Sequence, residues 1–251
     1  MTFAPAPGAA PLPRMVGAQI GFETRLLLRH PEQLLLTIVI PVVLLGIVMA
    51  VPVLDTGSVA KIDFLVPGIL ALAVMSTSFT SLAITTGFER RYGVLKRLAA
   101  SPLPRWALLV SKAGTVLVVE ALQVLLIGGF GYALGWRPNG SAVAACLLIV
   151  AGTFAFGGLA LLLAGTLRAE ATLAAANLIY VLLLGLGGIF VPLDRFPAAV
   201  QSVLEITPTG ALADGLRSIL VDGTTAWPAL GVLSAWALVG FAAAARWFRF
   251  D

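Results

Sequence analysis

Six long apolar runs organise the chain, and its polar residues are collected between them. They lie at roughly 34–53, 65–87, 106–134, 142–167, 173–192 and 227–245. Each approaches or exceeds the roughly 20 residues that carry a helix across about 30 Å of hydrocarbon at about 1.5 Å per residue. Helix is expected rather than strand. A lipid-embedded segment must satisfy its own backbone hydrogen bonds, and barrel strands would be shorter and would alternate polar with apolar positions. The third run is long, and its first turns, through Lys112, are expected to project out of the membrane.

Ahead of these runs, residues 1–13 are rich in Pro and Ala and read as a disordered head. Residues 14–33 then mix charges with Ile20, Phe22, Leu26, Leu27 and Leu28. At a helical period Met15, Phe22 and Leu26 share a face, while Gln19, Glu23 and His30 lie near another, which predicts an interfacial helix on the membrane surface. The first apolar run follows Arg14, Arg25 and Arg29 and is longer than a signal-peptide core, so it reads as a retained span.

Composition removes the soluble alternative. Hydrophobic residues make up 59% of the 251 and charged residues only 11%, with a mean hydropathy of +1.01. A water-soluble globule needs about a quarter charged residues to cover itself. The net charge of +4 does not point to nucleic acid, because cations beside apolar runs are the usual mark of cytoplasmic loops. Counting Lys and Arg on the two sides of six spans gives 12 against 4. The four are Lys61, Arg137, Arg195 and Arg217. The richer side is therefore expected in the cytoplasm, with both termini, in a multi-pass protein of the bacterial cytoplasmic (inner) membrane. Trp106, Trp136, Trp227 and Trp247 fall near span ends, where indole rings favour the interface, whereas Trp236 lies mid-span. One cysteine, Cys146, and one histidine, His30, exclude an intrachain disulfide and a His- or Cys-rich metal site.

Two segments and one carboxylate carry candidate chemistry. Between the second and third runs, Tyr92, Leu95, Leu98 and Ala99 recur at helical spacing, flanked by Glu89, Arg90, Arg91, Lys96 and Arg97 and closed by Pro102 and Pro104. A short amphipathic helix of this kind suits docking into a partner's groove; a solvated loop is the competing reading. After the fifth run, Pro192, Pro197 and Pro208 interrupt a sequence too apolar for an exposed loop and too broken to span. Short helices dipping into the outer leaflet fit it, with a compact external cap as the alternative. Glu120 lies eight residues past Lys112, about 12 Å at helical rise, too far to reach water easily. It is expected on a translocation-path or dimer-facing surface, or as a hydrogen-bonded structural glutamate near Gln123. Asn177 is a weaker candidate of the same kind, and Gly131 and Gly135 suggest close helix packing.

The Glu-Arg-x-x-Gly-x-Leu-x-x-Leu-x-x-x-Pro-Leu-x-Arg pattern from Glu89 to Arg105 resembles the cytoplasmic loop of ABC-2 permeases. The Phe-x-Pro, Phe-Pro and Pro-to-Leu-Arg arrangement from Phe190 to Arg217 resembles their external re-entrant segment, and Arg14 to His30 stands where their elbow helix stands. The likeness runs from Arg14 to Arg249 and is closest to the bacterial branch related to daunorubicin/doxorubicin-resistance exporters. It implies an all-α integral membrane protein with six transmembrane helices, an N-terminal interfacial elbow helix and an external re-entrant segment between spans five and six. It also implies a second permease copy, or a related permease, and two cytosolic ABC ATPase subunits that hold ATP and Mg. The coupling helix of such permeases maps onto Glu89 to Leu98. No Gly-x-x-x-x-Gly-Lys-[Ser/Thr] loop occurs here, so nucleotide chemistry is expected on another chain and no cofactor on this one.

Two other classes compete with an exporter permease. A proton-coupled secondary transporter would use Glu120, but the two three-span halves show no convincing repeat. A non-transporting membrane scaffold would leave the proline-broken segment without a purpose. Apolar spans with few polar residues suggest a hydrophobic or amphipathic cargo, a drug or lipid-like metabolite.

Overall fold

A backbone surrounded by apolar side chains has to hydrogen-bond to itself, and the described residues do so mainly in helices. A computed structural model describes residues 10–29, 31–50, 60–98 and 104–248, and among these no strand occurs. The helices are α1 (Leu12–Leu28), α2 (Pro31–Ala50), α3 (Lys61–Met75), α4 (Leu82–Arg91), α5 (Val94–Leu98) and α6 (Arg105–Ala133). They continue as α7 (Ala142–Thr166), α8 (Ala169–Leu186), α9 (Ala198–Glu205), α10 (Pro208–Leu220) and α11 (Trp227–Trp247). Five stretches among the described residues are long and apolar enough to cross a membrane: Lys61–Arg91, Val110–Ala133, Ala142–Thr166, Ala169–Leu186 and Trp227–Trp247. The expected first span, 34–53, coincides with α2 as far as Ala50, and its last residues lie outside the described ones.

At the centre stands one unbroken rod. α3 and α4 are joined by a π-helical turn, Ser76–Ser81, so that helix runs from Lys61 to Arg91, longer at both ends than the sequence pattern of 65–87. Every residue from Phe64 to Met75 is buried. Of its apolar window, 83% is covered by the rest of the chain, against 17% for α8 and for α11. A π turn leaves backbone groups poorly matched, and the Ser-Thr-Ser-Phe-Thr-Ser run supplies hydroxyls there: Ser78 Oγ donates to Val74 O at 2.6 Å.

Glycines and caps set the remaining packing. α7 and α11 cross where Gly158 meets Gly240; a Cβ on Gly158 would lie 2.9 Å from the Phe241 nitrogen. Gly131 lets α6 approach Val66 of α3, as its small-residue spacing suggested. Ser141 caps α7 by accepting from Ala144 N, and Thr207 caps α10 by accepting from Gly210 N. Gly187 closes α8, and Gly188 turns the chain at φ +71°. The fifth span is therefore 169–186 rather than 173–192. α1 takes in Pro13 within its first turn, where a missing N–H costs nothing; the rest of the expected head, residues 1–9, lies outside the described ones.

The helices alternate in direction. The ends of α4 and α7 and the starts of α6 and α8 meet at one end of the bundle, called here the basic end, with α1 and α5. The turn 134–141, α9 and α10 occupy the far end. Trp136, expected at an interface, is buried there.

Candidate functional sites at the two ends of the bundle

At the basic end, α4 runs to Arg91, and Gly93, at φ +69°, turns the chain into the five-residue α5. Leu95 has no exposed surface; it packs with Ala107 and Leu108 of α6, beside Leu12, Met15, Val16 and Leu98. Of the three apolar residues expected to anchor a partner, Leu95 and Leu98 thus face this chain's own α1 and α6. Tyr92 alone is turned outward, 66% exposed and stacked on Phe88. Arg91, Lys96 and Arg97 share its exposed side, and Arg97 donates to Tyr92 O and Gly93 O, closing the turn. Arg90 donates to Leu167 O and Arg91 pairs with Glu170, tying the end of α4 to the α7–α8 junction.

Glu89, in the last turn of α4, is paired. Lys112 reaches it, with Nζ 2.5 Å from Glu89 Oε2 and 3.5 Å from Glu23 Oε1. Lys112 is 3% exposed, with α1 packed on α6 beside it. Glu23 also accepts from Gln19 Nε2 at 2.8 Å and from Thr115 Oγ1 at 3.2 Å. Beside this triad is a cavity of about 320 Å³, whose lining includes Glu23, Glu89 and Lys112. Thr77 and Ser81 of the π turn and Thr85 add hydroxyls; Leu26, Leu27, Leu82, Val116 and Val119 add apolar wall.

Deeper in the bundle, Glu120 and Gln123 are 2% and 1% exposed. Thr153 of α7 donates to Glu120 Oε2, and Thr77 of the π turn donates to Gln123 Oε1 at 3.1 Å. Both side chains lie inside the single chain. Asn177 is exposed on α8 and donates to Leu173 O of its own helix at 2.9 Å.

At the far end the prolines start each short element. Pro192 precedes the 3-10 turn Leu193–Arg195, Pro197 precedes α9, and Pro208 opens α10. α10 packs on α3 and α7 instead of standing free. Arg217 fastens it: Nη1 donates to Asp214 Oδ1 at 2.9 Å, Nη2 to Ile189 O at 3.0 Å and Nε to Phe64 O at 3.3 Å. Its guanidinium also lies 3.8 Å from the centre of the Phe64 ring. Trp236 Nε1 donates to Ile206 O at 2.8 Å, joining α11 to the α9–α10 junction.

A family model for the ABC-2 type transporter matches residues 17–221, from within α1 to the end of α10. The chain belongs to the ABC-2 type transporter family. It is also similar to the protein named "Putative transport permease YvfS" of Bacillus subtilis (strain 168), with 25% identity over 173 residues, 66% of this chain and 69% of that one. A multi-pass membrane permease of this family is the identity that the helices and both likenesses share.

Sequence reasoning missed the triad of Glu23, Glu89 and Lys112 and the hydroxyls of the π turn. Signals for both were present. A lysine inside an apolar run requires a carboxylate, and six residues of Ser, Thr and one Phe interrupt the second run.

Proposed function

We propose that this permease is the membrane subunit of an ATP-driven exporter, working as two permease copies with two cytosolic ATPase subunits that bind ATP and Mg. One observation carries the proposal: the most covered rod of the bundle, Lys61–Arg91, ends in a glycine turn and a small helix seated by Leu95, with Tyr92, Lys96 and Arg97 outward. A rigid helix with a firmly seated tip passes a push on that tip to the centre of the protein. An exposed aromatic ringed by cations is a fitting anchor for a partner surface. With α2 counted, six helices span the inner membrane, α1 lies as an elbow at the cytoplasmic face, and α9–α10 form the external re-entrant segment. The excess of Lys and Arg at the basic end supports a cytoplasmic position for that end. The little-covered outer faces of α8 and α11 are available to lipid or to the second copy, and the cargo is hydrophobic or amphipathic. A proton-coupled mechanism through Glu120 is less well supported, since Glu120 is enclosed by the chain and does not line the cavity.

Capture of the ATPase with tagged permease from native membranes tests the dock. Tyr92→Asp combined with Arg97→Glu is expected to lower the captured ATPase by at least about tenfold, the scale of an interface anchor. The variant should keep the melting temperature of the wild-type permease in detergent. Undiminished capture would place the dock elsewhere. In a Cys146→Ala background, cysteines at Asn139 and Ser202 should react with an impermeant thiol reagent in intact cells, and one at Lys96 should not. The reverse pattern would turn the topology over.

A further inference from the structure

The cavity at the basic end is built with one carboxylate more than its lysine neutralises. Glu23 and Glu89 both line it, and Lys112, 3% exposed, is the one cation in its lining among the described residues. The two carboxylates are not equally occupied. Glu23 accepts from Gln19 and Thr115 as well as lying beside Lys112. Glu89, whose side chain is 24% exposed, pairs among the described residues with Lys112, on one of its two oxygens. A partly buried carboxylate with unused acceptor capacity is stabilised by a further cation with N–H groups to donate. Lys112 cannot serve an anion in the same way, because both carboxylates already hold it.

The rest of the lining says what such a cation would be attached to. Leu26, Leu27, Leu82, Val116 and Val119 form an apolar wall continuous with the charged corner. The volume, about 320 Å³, is at the lower end of the range for small-molecule sites, roughly 300–1,000 Å³. From this geometry we infer that the cavity binds the ammonium group of an amphipathic amine, with Glu89 as its acceptor, the threonine and serine hydroxyls beside it and the apolar body along the leucine and valine wall. Glu89 holds Lys112 through Oε2 and keeps Oε1 for the ligand, while Glu23 shares the lysine. Two sources present this chemistry, a free amphipathic amine and the headgroup of an aminophospholipid. That the occupant is transported rests on the exporter reading; that it binds does not.

The test uses the whole permease, purified into phosphatidylcholine nanodiscs, and dansylcadaverine, a fluorescent primary amine, with its N-acetyl derivative as the uncharged control. Saturable binding of the amine is expected, weakened at least about tenfold by acetylation, the scale of one charge-assisted hydrogen bond. Glu89→Gln should weaken the amine by a similar factor; Lys112 keeps Glu23, so the variant retains a paired lysine. Thr85→Trp fills the cavity without touching the triad and should abolish saturable binding at an unchanged melting temperature. Equal binding of the amine and its acetylated form, or wild-type affinity in either variant, overturns the site. Displacement of the dye when phosphatidylethanolamine replaces part of the phosphatidylcholine identifies a lipid headgroup as the occupant; no displacement identifies the free amine. ATPase capture separates the two proposals. Captured ATPase without amine binding refutes this site alone, and amine binding without any captured ATPase refutes the exporter reading alone.

Discussion

Lys112 at the basic end and Arg217 at the far end are both largely buried, 3% and 11% exposed, yet they are held in different ways. Arg217 donates to two backbone carbonyls, Phe64 O and Ile189 O, and to Asp214 on its own helix. Lys112 is held by two side-chain carboxylates, one on α1 and one on α4, beside open space. Backbone carbonyls cannot move without moving their stretch of chain, and a planar fork matches them in one geometry. An ammonium is a rotatable point charge that follows either carboxylate, and side-chain partners can be exchanged. The comparison teaches that one family of buried cation can make a clamp or a joint. The far end is fastened to the central rod, while the basic end keeps partners that can separate.

Removing the clamp should have the largest effect. Arg217→Met leaves Asp214 and two carbonyls short of a donor and is expected to cost about 4 kcal/mol, the scale of breaking a buried pair. A fall in melting temperature in detergent measures it, and Asp214→Asn added to it should not restore stability because the carbonyls stay unserved. Lys112→Met should cost about 3 kcal/mol by leaving two carboxylates together, and here Glu89→Gln added to it should recover most of the loss. Rescue at both ends, or at neither, would remove the distinction between clamp and joint.

Gly68→Ala probes the clamp without altering charge. Its Cβ would sit 2.5 Å from Ile189 O and 2.9 Å from Arg217 Nη2, so a loss of about 2 kcal/mol is expected from overpacking. Protection of the 187–197 backbone from hydrogen exchange should fall with it. The smallest effect belongs to the exposed pair of Arg91 and Glu170, 52% and 63% exposed. Arg91→Ala should change stability by less than about 0.5 kcal/mol, and by less still at high salt. A large change there would show that the tie between α4 and the α7–α8 junction bears load.

Much of this was legible in the residues. The apolar runs foretold the helices from the second span onward to within a few residues at most ends, because hydrophobic length and helix breakers act locally. The motif order along the chain foretold the family that the 17–221 match shows. The proline-broken segment was recognised as neither loop nor span, although its packing against α3 through Arg217 could not be foreseen from residues 153 positions apart, as Phe64 and Arg217 are. At 89–98 the period of Tyr92, Leu95 and Leu98 was read as one apolar face, whereas α1 and α6 cover Leu95 and Leu98 and Tyr92 faces outward. An amphipathic period says that a face will be covered; it does not say whether this chain or another covers it.

The sequence by itself determined that this protein lives in a membrane, roughly where its apolar helices lie and break, and which segments carry the positive charge. These follow from transfer free energy and backbone hydrogen bonding, which each segment settles alone. Only the tertiary structure decided which charges are enclosed. α1 folds over α6, so Lys112 is buried and must share Glu23 and Glu89. α1 and α6 also take Leu95 for themselves, leaving Tyr92 outside. α7 supplies Thr153 to Glu120, which turns a carboxylate that could have faced a partner into the interior. Burial depends on what lies across from a residue, and in a bundle that neighbour comes from a helix far away in the chain.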